Sequence, residues 1–212
     1  MSGLGLVLGT GAAGLRPSEG VIAIDRHGDS YLLPHLIDHE ANMRRLLDAG
    51  CDRVLGISSV GGLRPELAPG RYVCPDDFIA LDLSPLTTRH DVAAHRVPRF
   101  DPGWRARVAA GFAELVELRD GGVYWQVTGP RLETAAEVRY VAQHADVIGM
   151  TVASECIVAG ELGLAYAAVC VVDNFANSVA GTELELEDVA AGQAEHRREL
   201  EHVLEDVVPG LT

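Results

Sequence analysis

Apolar and polar positions along the chain fall into two alternating rhythms. Short, mostly apolar runs fit strands covered on both faces. They lie at Leu4–Leu8, Val21–Ile24, Arg53–Ile57, Tyr72–Phe78, Val123–Val127, Asp146–Ile148 and Tyr166–Val172. Between them, apolar residues recur every three or four positions and predict helices. His39–Ala49 ends at Gly50, a good helix stop. Trp104–Leu118 carries Trp104, Val108, Phe112 and Leu115 at helical spacing, and Thr134–His144 and Val152–Leu162 follow. Glu187–Val207 closes the series with Leu200, Val203, Leu204 and Val207 on one face. This alternation predicts an α/β fold: a single domain over residues 1–212, with a central mixed sheet flanked by helices. Sites in such sheets gather outside strand ends and on the loops there. The least regular stretch, Asp82–Pro102, holds Pro85 and Pro98 with Arg89, His90, His95, Arg96 and Arg99. It reads as a long loop, a lid or a subunit contact, with His95 a candidate to complete a neighbouring subunit's site.

Composition narrows the function classes. The 212 residues are 48% hydrophobic and 23% charged, ordinary values for a globular enzyme. Nothing approaches a membrane-spanning apolar run, and Met1-Ser2-Gly3-Leu4 lacks the basic start of a signal peptide. A net charge of -14 argues against nucleic acid or an anionic membrane as partner. Any anionic substrate then needs a local positive site. Cys51, Cys74, Cys156 and Cys170 form no C-x-x-C pair and sit among apolar residues, so buried, reduced thiols and a cytoplasmic location are expected. No metal or organic cofactor is implied.

Three small-residue or cationic segments follow three of the strands. In Gly9-Thr10-Gly11, glycines let backbone approach an anion and Thr10 adds a hydroxyl. In Arg26-His27-Gly28, the arginine fork suits phosphate and the histidine can add a hydrogen bond. Ser58-Ser59-Val60-Gly61-Gly62 supplies two hydroxyls and a glycine pair. Each alone is as well read as a turn; their convergence points to a phosphate site built without a P-loop lysine.

The more specific segment is Gly122–Glu137, with Gly129-Pro130-Arg131-Leu132-Glu133-Thr134 at its centre, followed by Gly149-Met150-Thr151, Glu155 and Asp173-Asn174. In these residues the chain resembles the trimeric purine nucleoside phosphorylase and methylthioadenosine phosphorylase family. It looks most like members that act on 6-oxopurine nucleosides, including methylthioinosine phosphorylases. The resemblance spans roughly residues 3 to 207. It implies a nucleoside phosphorylase-like fold, a homotrimer, and phosphate-dependent cleavage of an N-glycosidic bond, with inorganic phosphate as co-substrate. Carried over residue by residue, Thr10, Arg26, His27, Ser58 and Thr151 would hold phosphate, with the Ser59 backbone beside them. Met150 would pack against the ribose and Leu132 against the purine. Glu133 and Asn174 would bind the base, and Ala176 would line the site beyond. His27, Glu133 and Asn174 are the implied catalytic set.

The implied chemistry suits these residue types. The leaving purine gains negative charge, which the Asn174 amide can meet at N7 or O6. The Glu133 carboxylate can accept the N1–H of a 6-oxopurine. Leu184 and Leu186 fit an apolar pocket for the sugar's 5′ group. The chain departs from the family pattern in a short segment between Thr10 and Arg26, a shortened Asp82–Pro102 loop, and no proline in Val152-Ala153-Ser154. A fourth departure is Asp173, a carboxylate expected to bear on base binding. A nucleosidase using water and a non-catalytic purine or phosphate binder stay open at this point.

Overall fold

The computed structural model describes residues 3–16, 19–28, 30–81, 83, 87–181 and 183–212. Asp82 and Pro85 of the expected loop lie outside the described residues, as do Met1 and Ser2. A sheet of nine strands forms the centre: β1 (Gly3–Leu8), β2 (Ile22–Asp25), β3 (Cys51–Gly62), β4 (Tyr72–Cys74), β5 (Asp77–Ile79), β6 (Leu118–Asp120), β7 (Val123–Gln126), β8 (Val147–Gly149) and β9 (Ala165–Phe175). Around it lie α1 (His39–Asp48), α2 (Pro102–Ala113), α3 (Ala135–Val141), α4 (Val152–Glu161) and α5 (Leu186–Leu211).

The sheet runs β5-β7-β8-β3-β9-β4-β6, with β1 and β2 joined at β3. The long β3 serves two neighbours along one edge. Its residues 51–57 pair with β1 in parallel, and Gly61 and Gly62 pair antiparallel with β8. Its other edge pairs with β9 in parallel from Arg53 to Gly62. The sheet is therefore mixed, with the parallel strands β1, β2, β3 and β9 ending on one side.

Both faces are covered. Ala167, Val169 and Val171 of β9 pack with Trp104, Val108 and Phe112 of α2 and with Leu200, Val203, Leu204 and Val207 of α5. Tyr166, Ala168, Cys170 and Val172, on the opposite face, pack with Met43 and Leu46 of α1 and Val152 and Cys156 of α4. This two-residue alternation is the strand period itself, and double coverage is why β9 is apolar from Ala165 to Val172. All four cysteines are free and buried. Among the described residues no helix is long and apolar enough to cross a membrane.

Three expectations change. Ser58–Gly62 is not a turn but the second half of β3, because both edges of that segment find strand partners. Tyr72–Phe78 splits at Pro75 into β4 and β5, which pair with different strands; proline cannot donate to the ladder. The helix expected to reach Leu118 stops at Ala113, and Leu118 opens β6 alongside β4.

Candidate functional site

Strand ends deliver the site. A 3-10 turn after β1 presents Thr10, and the turn after β2 presents Arg26 and His27. The second half of β3 brings Ser58 and Ser59, the end of β8 leads into Met150 and Thr151, and the end of β9 carries Asn174 and then Ala176. The loop before α3 adds Leu132 and Glu133. All eleven residues line one cavity of about 410 Å³. Such crevices outside parallel strand ends are the usual ligand sites of α/β sheets. His95 is exposed and outside this cavity.

Arg26 is 2% exposed and largely committed to the protein. Its Nε and Nη2 donate to the two carboxylate oxygens of Glu155, the latter bond at 3.0 Å, and Nη1 donates to the Ile57 carbonyl at 3.1 Å. Glu155, fully buried, also accepts from the Tyr166 hydroxyl at 2.6 Å. Burial opposes the guanidinium charge, but the charge and hydrogen bonds of Glu155 outweigh it and the pKa is raised. With three of its five N–H groups used, Arg26 has two left for a ligand. Its charge is balanced by Glu155, so the positive field at this end is weaker than a lone arginine would make it.

His27 is held on three sides. Its Nδ1 lies 2.7 Å from the Leu32 carbonyl, while the Leu32 N–H donates back to the His27 carbonyl at 2.8 Å. A carbonyl only accepts, so Nδ1 carries the hydrogen. The other neutral tautomer would set two lone pairs face to face, at a cost of about 1–3 kcal/mol for the unmade buried bond. Tyr31 stacks on the ring at 4.8 Å between centroids, and Nε2 faces Thr10 Oγ1 at 3.3 Å. Burial holds the imidazole pKa below its usual value.

Thr151 lines the cavity, while the backbone N–H groups at the start of α4 are already taken. Tyr124 Oη accepts from Thr151 and Val152 at 3.2 and 3.4 Å, and Gln126 Oε1 accepts from Ala153 and Ser154 at 2.7 and 3.1 Å. This helix start is thus capped by β7 rather than by a ligand.

Ser59 and Asp173 correct an expectation. The Asp173 side chain, expected to bear on base binding, does not line the cavity. It lies at an irregularity of the β3–β9 ladder, unpaired between Val172 and Asn174, and points toward α5. There it accepts from the Ser59 hydroxyl and pairs with His196 Nδ1 of α5 at 3.1 Å. Gln193 Nε2 donates to Ser59 Oγ at 3.1 Å. The Ser59 hydroxyl is therefore spent on this clip, leaving its backbone for the cavity. Burial raises the Asp173 pKa against the pull of Ser59 and His196.

Asn174 Nδ2 donates to the Phe175 carbonyl at 2.8 Å, which leaves its second amide hydrogen and Oδ1. Asn177 Nδ2 ties the loop to this strand end by donating to the Glu133 carbonyl at 2.8 Å. Burial raises the pKa of the Glu133 carboxyl. Gly129, at φ +65, leaves no room for a Cβ against Met150, so its small size is what lets Met150 reach the cavity. Leu33, Pro34, Leu184, Leu186 and Val189 form an apolar wall. Tyr31, Leu33, Pro34, Val189 and Gln193 carried no motif signal. A stacked tyrosine and a helix face become site residues only through folding. His39, the first residue of α1, lines a second cavity that shares Pro34 and Met150 with the first. Burial pulls its pKa down to about 4.

Comparison with known proteins places the geometry in context. Residues 10–209 match the model of the Phosphorylase superfamily. A probable 6-oxopurine nucleoside phosphorylase of Archaeoglobus fulgidus is 37% identical over 195 residues, covering 89% of this chain and 78% of the relative. The 6-oxopurine nucleoside phosphorylase of Pyrococcus furiosus is 34% identical over 185 residues, covering 81% and 70%. A probable S-methyl-5'-thioinosine phosphorylase of Methanothermobacter thermautotrophicus is 30% identical over 193 residues, covering 90% and 69%. Among solved structures, the methylthioadenosine phosphorylase of Schistosoma mansoni in complex with adenine superposes with a TM-score of 0.81 at 19% identity, covering 99% and 92% of the two chains. That likeness shows a shared fold.

Proposed function

This chain belongs to the Phosphorylase superfamily, and from that premise we propose that it cleaves the N-glycosidic bond of 6-oxopurine nucleosides with inorganic phosphate, releasing base and a pentose 1-phosphate. The observation that carries the reading is a single cavity lined both by Thr10, Arg26, His27, Ser58 and Thr151 and by Glu133 and Asn174.

The anion is held by Thr10, Ser58 and Thr151 hydroxyls, the Ser59 backbone and the remaining N–H groups of Arg26. This places the nucleophile before any covalent change, which is where much of the rate gain of a two-substrate reaction arises. As the glycosidic bond lengthens, the sugar becomes oxocarbenium-like and the electron pair moves into the purine. The free amide hydrogen of Asn174 meets that charge, and the Glu133 carboxylate accepts N1–H of the 6-oxopurine. The apolar wall of Leu184, Leu186 and Val189 favours an apolar 5′ group, such as methylthio, over a hydroxyl. No cofactor beyond phosphate as co-substrate enters this reading. A homotrimer and a cytoplasmic setting accompany it as parts of the proposal.

Incubation with inosine, guanosine and 5′-methylthioinosine, each with and without phosphate, tests it. Base release that requires phosphate is expected, fastest for methylthioinosine. Release that is equally fast in water alone would make the chain a nucleosidase, and tight binding without turnover would make it a binding protein.

A further inference from the structure

We propose that the oxyanion in this cavity binds with one proton shared between an anion oxygen and Nε2 of His27, so that binding the phosphate dianion takes up a proton. The inference rests on the phosphate reading above and adds a protonation requirement to it.

A clasp joins His27 to Leu32. Nδ1–H is spent on the Leu32 carbonyl at 2.7 Å, the Leu32 N–H returns a bond to His27, and Tyr31 covers the ring at an interplanar angle of 11°. The ring is therefore fixed with Nε2 toward the cavity. In the neutral imidazole Nε2 has a lone pair and no hydrogen. It takes its hydrogen bond from the Thr10 hydroxyl at 3.3 Å. An anion that claims that hydroxyl would leave Nε2 lone pair to lone pair with oxygen. A proton between them removes the conflict, whether it arrives on the monoanion or is gained by the imidazole.

The surroundings do not supply that proton in advance. The charged groups facing His27 are Arg26 beside it and Glu155 from α4, which oppose each other. His39 on α1 is neutral, its pKa drawn down by burial. Burial adds its own pull toward the uncharged ring. The cavity thus selects oxyanions that carry a proton, and for a dianion that cannot, such as sulfate, His27 must take up a proton from solvent as the anion binds.

Calorimetry of the intact chain with inorganic phosphate, above the second pKa of phosphate and in buffers of different ionisation enthalpy, tests this. Uptake of about one proton per bound phosphate is expected in the wild type and none in His27→Gln, whose amide supplies a donor. Sulfate binding to the wild type should weaken about tenfold per pH unit above the pKa of His27. Phosphate binding with buffer-independent heat, uptake that persists in His27→Gln, or a pH-independent sulfate constant would overturn the inference and leave the phosphate site standing. Absence of phosphate binding would overturn both.

Discussion

Replacing Glu155 by Gln separates the structural and ligand-binding roles of Arg26. Glu155 is fully buried, and its two oxygens accept from Arg26 and from Tyr166. Gln keeps the shape but removes the charge, and its amide N–H group meets donors. Breaking a buried ion pair from one side costs about 3–5 kcal/mol, because the other charge is left uncompensated. In a domain of this size each kcal/mol moves the melting temperature by roughly 2–4 °C, so a fall of roughly 6–20 °C is expected. Phosphate should recover part of it. In the variant the bound anion becomes the counter-ion of Arg26, and a ligand at a hundred times its Kd adds about 2.7 kcal/mol to stability. The assay is urea unfolding of both proteins with and without phosphate, in buffers free of other oxyanions. A loss below about 1 kcal/mol would show that Glu155 does not compensate Arg26. An equal phosphate shift in both proteins would show that Arg26 does not meet the anion. Arg26→Ala is a poorer probe, since it strands Glu155 and mixes the same stability loss into the phosphate KM.

Three further outcomes are expected. Asn174→Asp should lower kcat/KM for inosine by roughly 30-fold to 160-fold, the equivalent of a charged-group hydrogen bond of about 2–3 kcal/mol, while 6-aminopurine nucleosides lose less; an unchanged preference in steady-state kinetics would remove Asn174 from base recognition. Gly192→Ala should destabilise the chain in urea unfolding even though alanine is the better helix former by about 1 kcal/mol, because its Cβ would run into the Asp173 carbonyl oxygen and overpacking of that kind costs about 1–3 kcal/mol; a stabilised variant would show that α5 lifts freely from β9. The Glu133 carboxyl must be ionised to accept N1–H, and burial raises its pKa, so kcat/KM for inosine should fall with decreasing pH through a point above the ordinary glutamate value; in Glu133→Gln that limb should vanish along with most of the activity, and a limb that persists would belong to another group.

The sequence by itself determined the α/β class and most element positions. Apolar runs and helical spacing are local signals, and the β9 run is apolar because both its faces are covered. It also pointed to part of the cavity: glycine, hydroxyl and arginine near strand ends suggested an anion site, while Leu132, Glu133, Met150, Asn174 and Ala176 were singled out only through the family resemblance, and Tyr31, Leu33, Pro34, Val189 and Gln193 only by the fold. Only the tertiary structure decided what those residues are free to do. The pairing of Arg26 with Glu155 joins positions 129 residues apart, and no local pattern encodes it. Whether Ser58–Gly62 is turn or strand depended on β8 and β9 arriving at its edges. The direction of Asp173 depended on α5 and β3 bringing His196 and Ser59 to its carboxylate. The state of His27 depended on a carbonyl from Leu32 and a ring from Tyr31. Residue types set the chemistry on offer. Hydrogen-bond partners, which exist only in the folded chain, decide how much of it remains for a substrate.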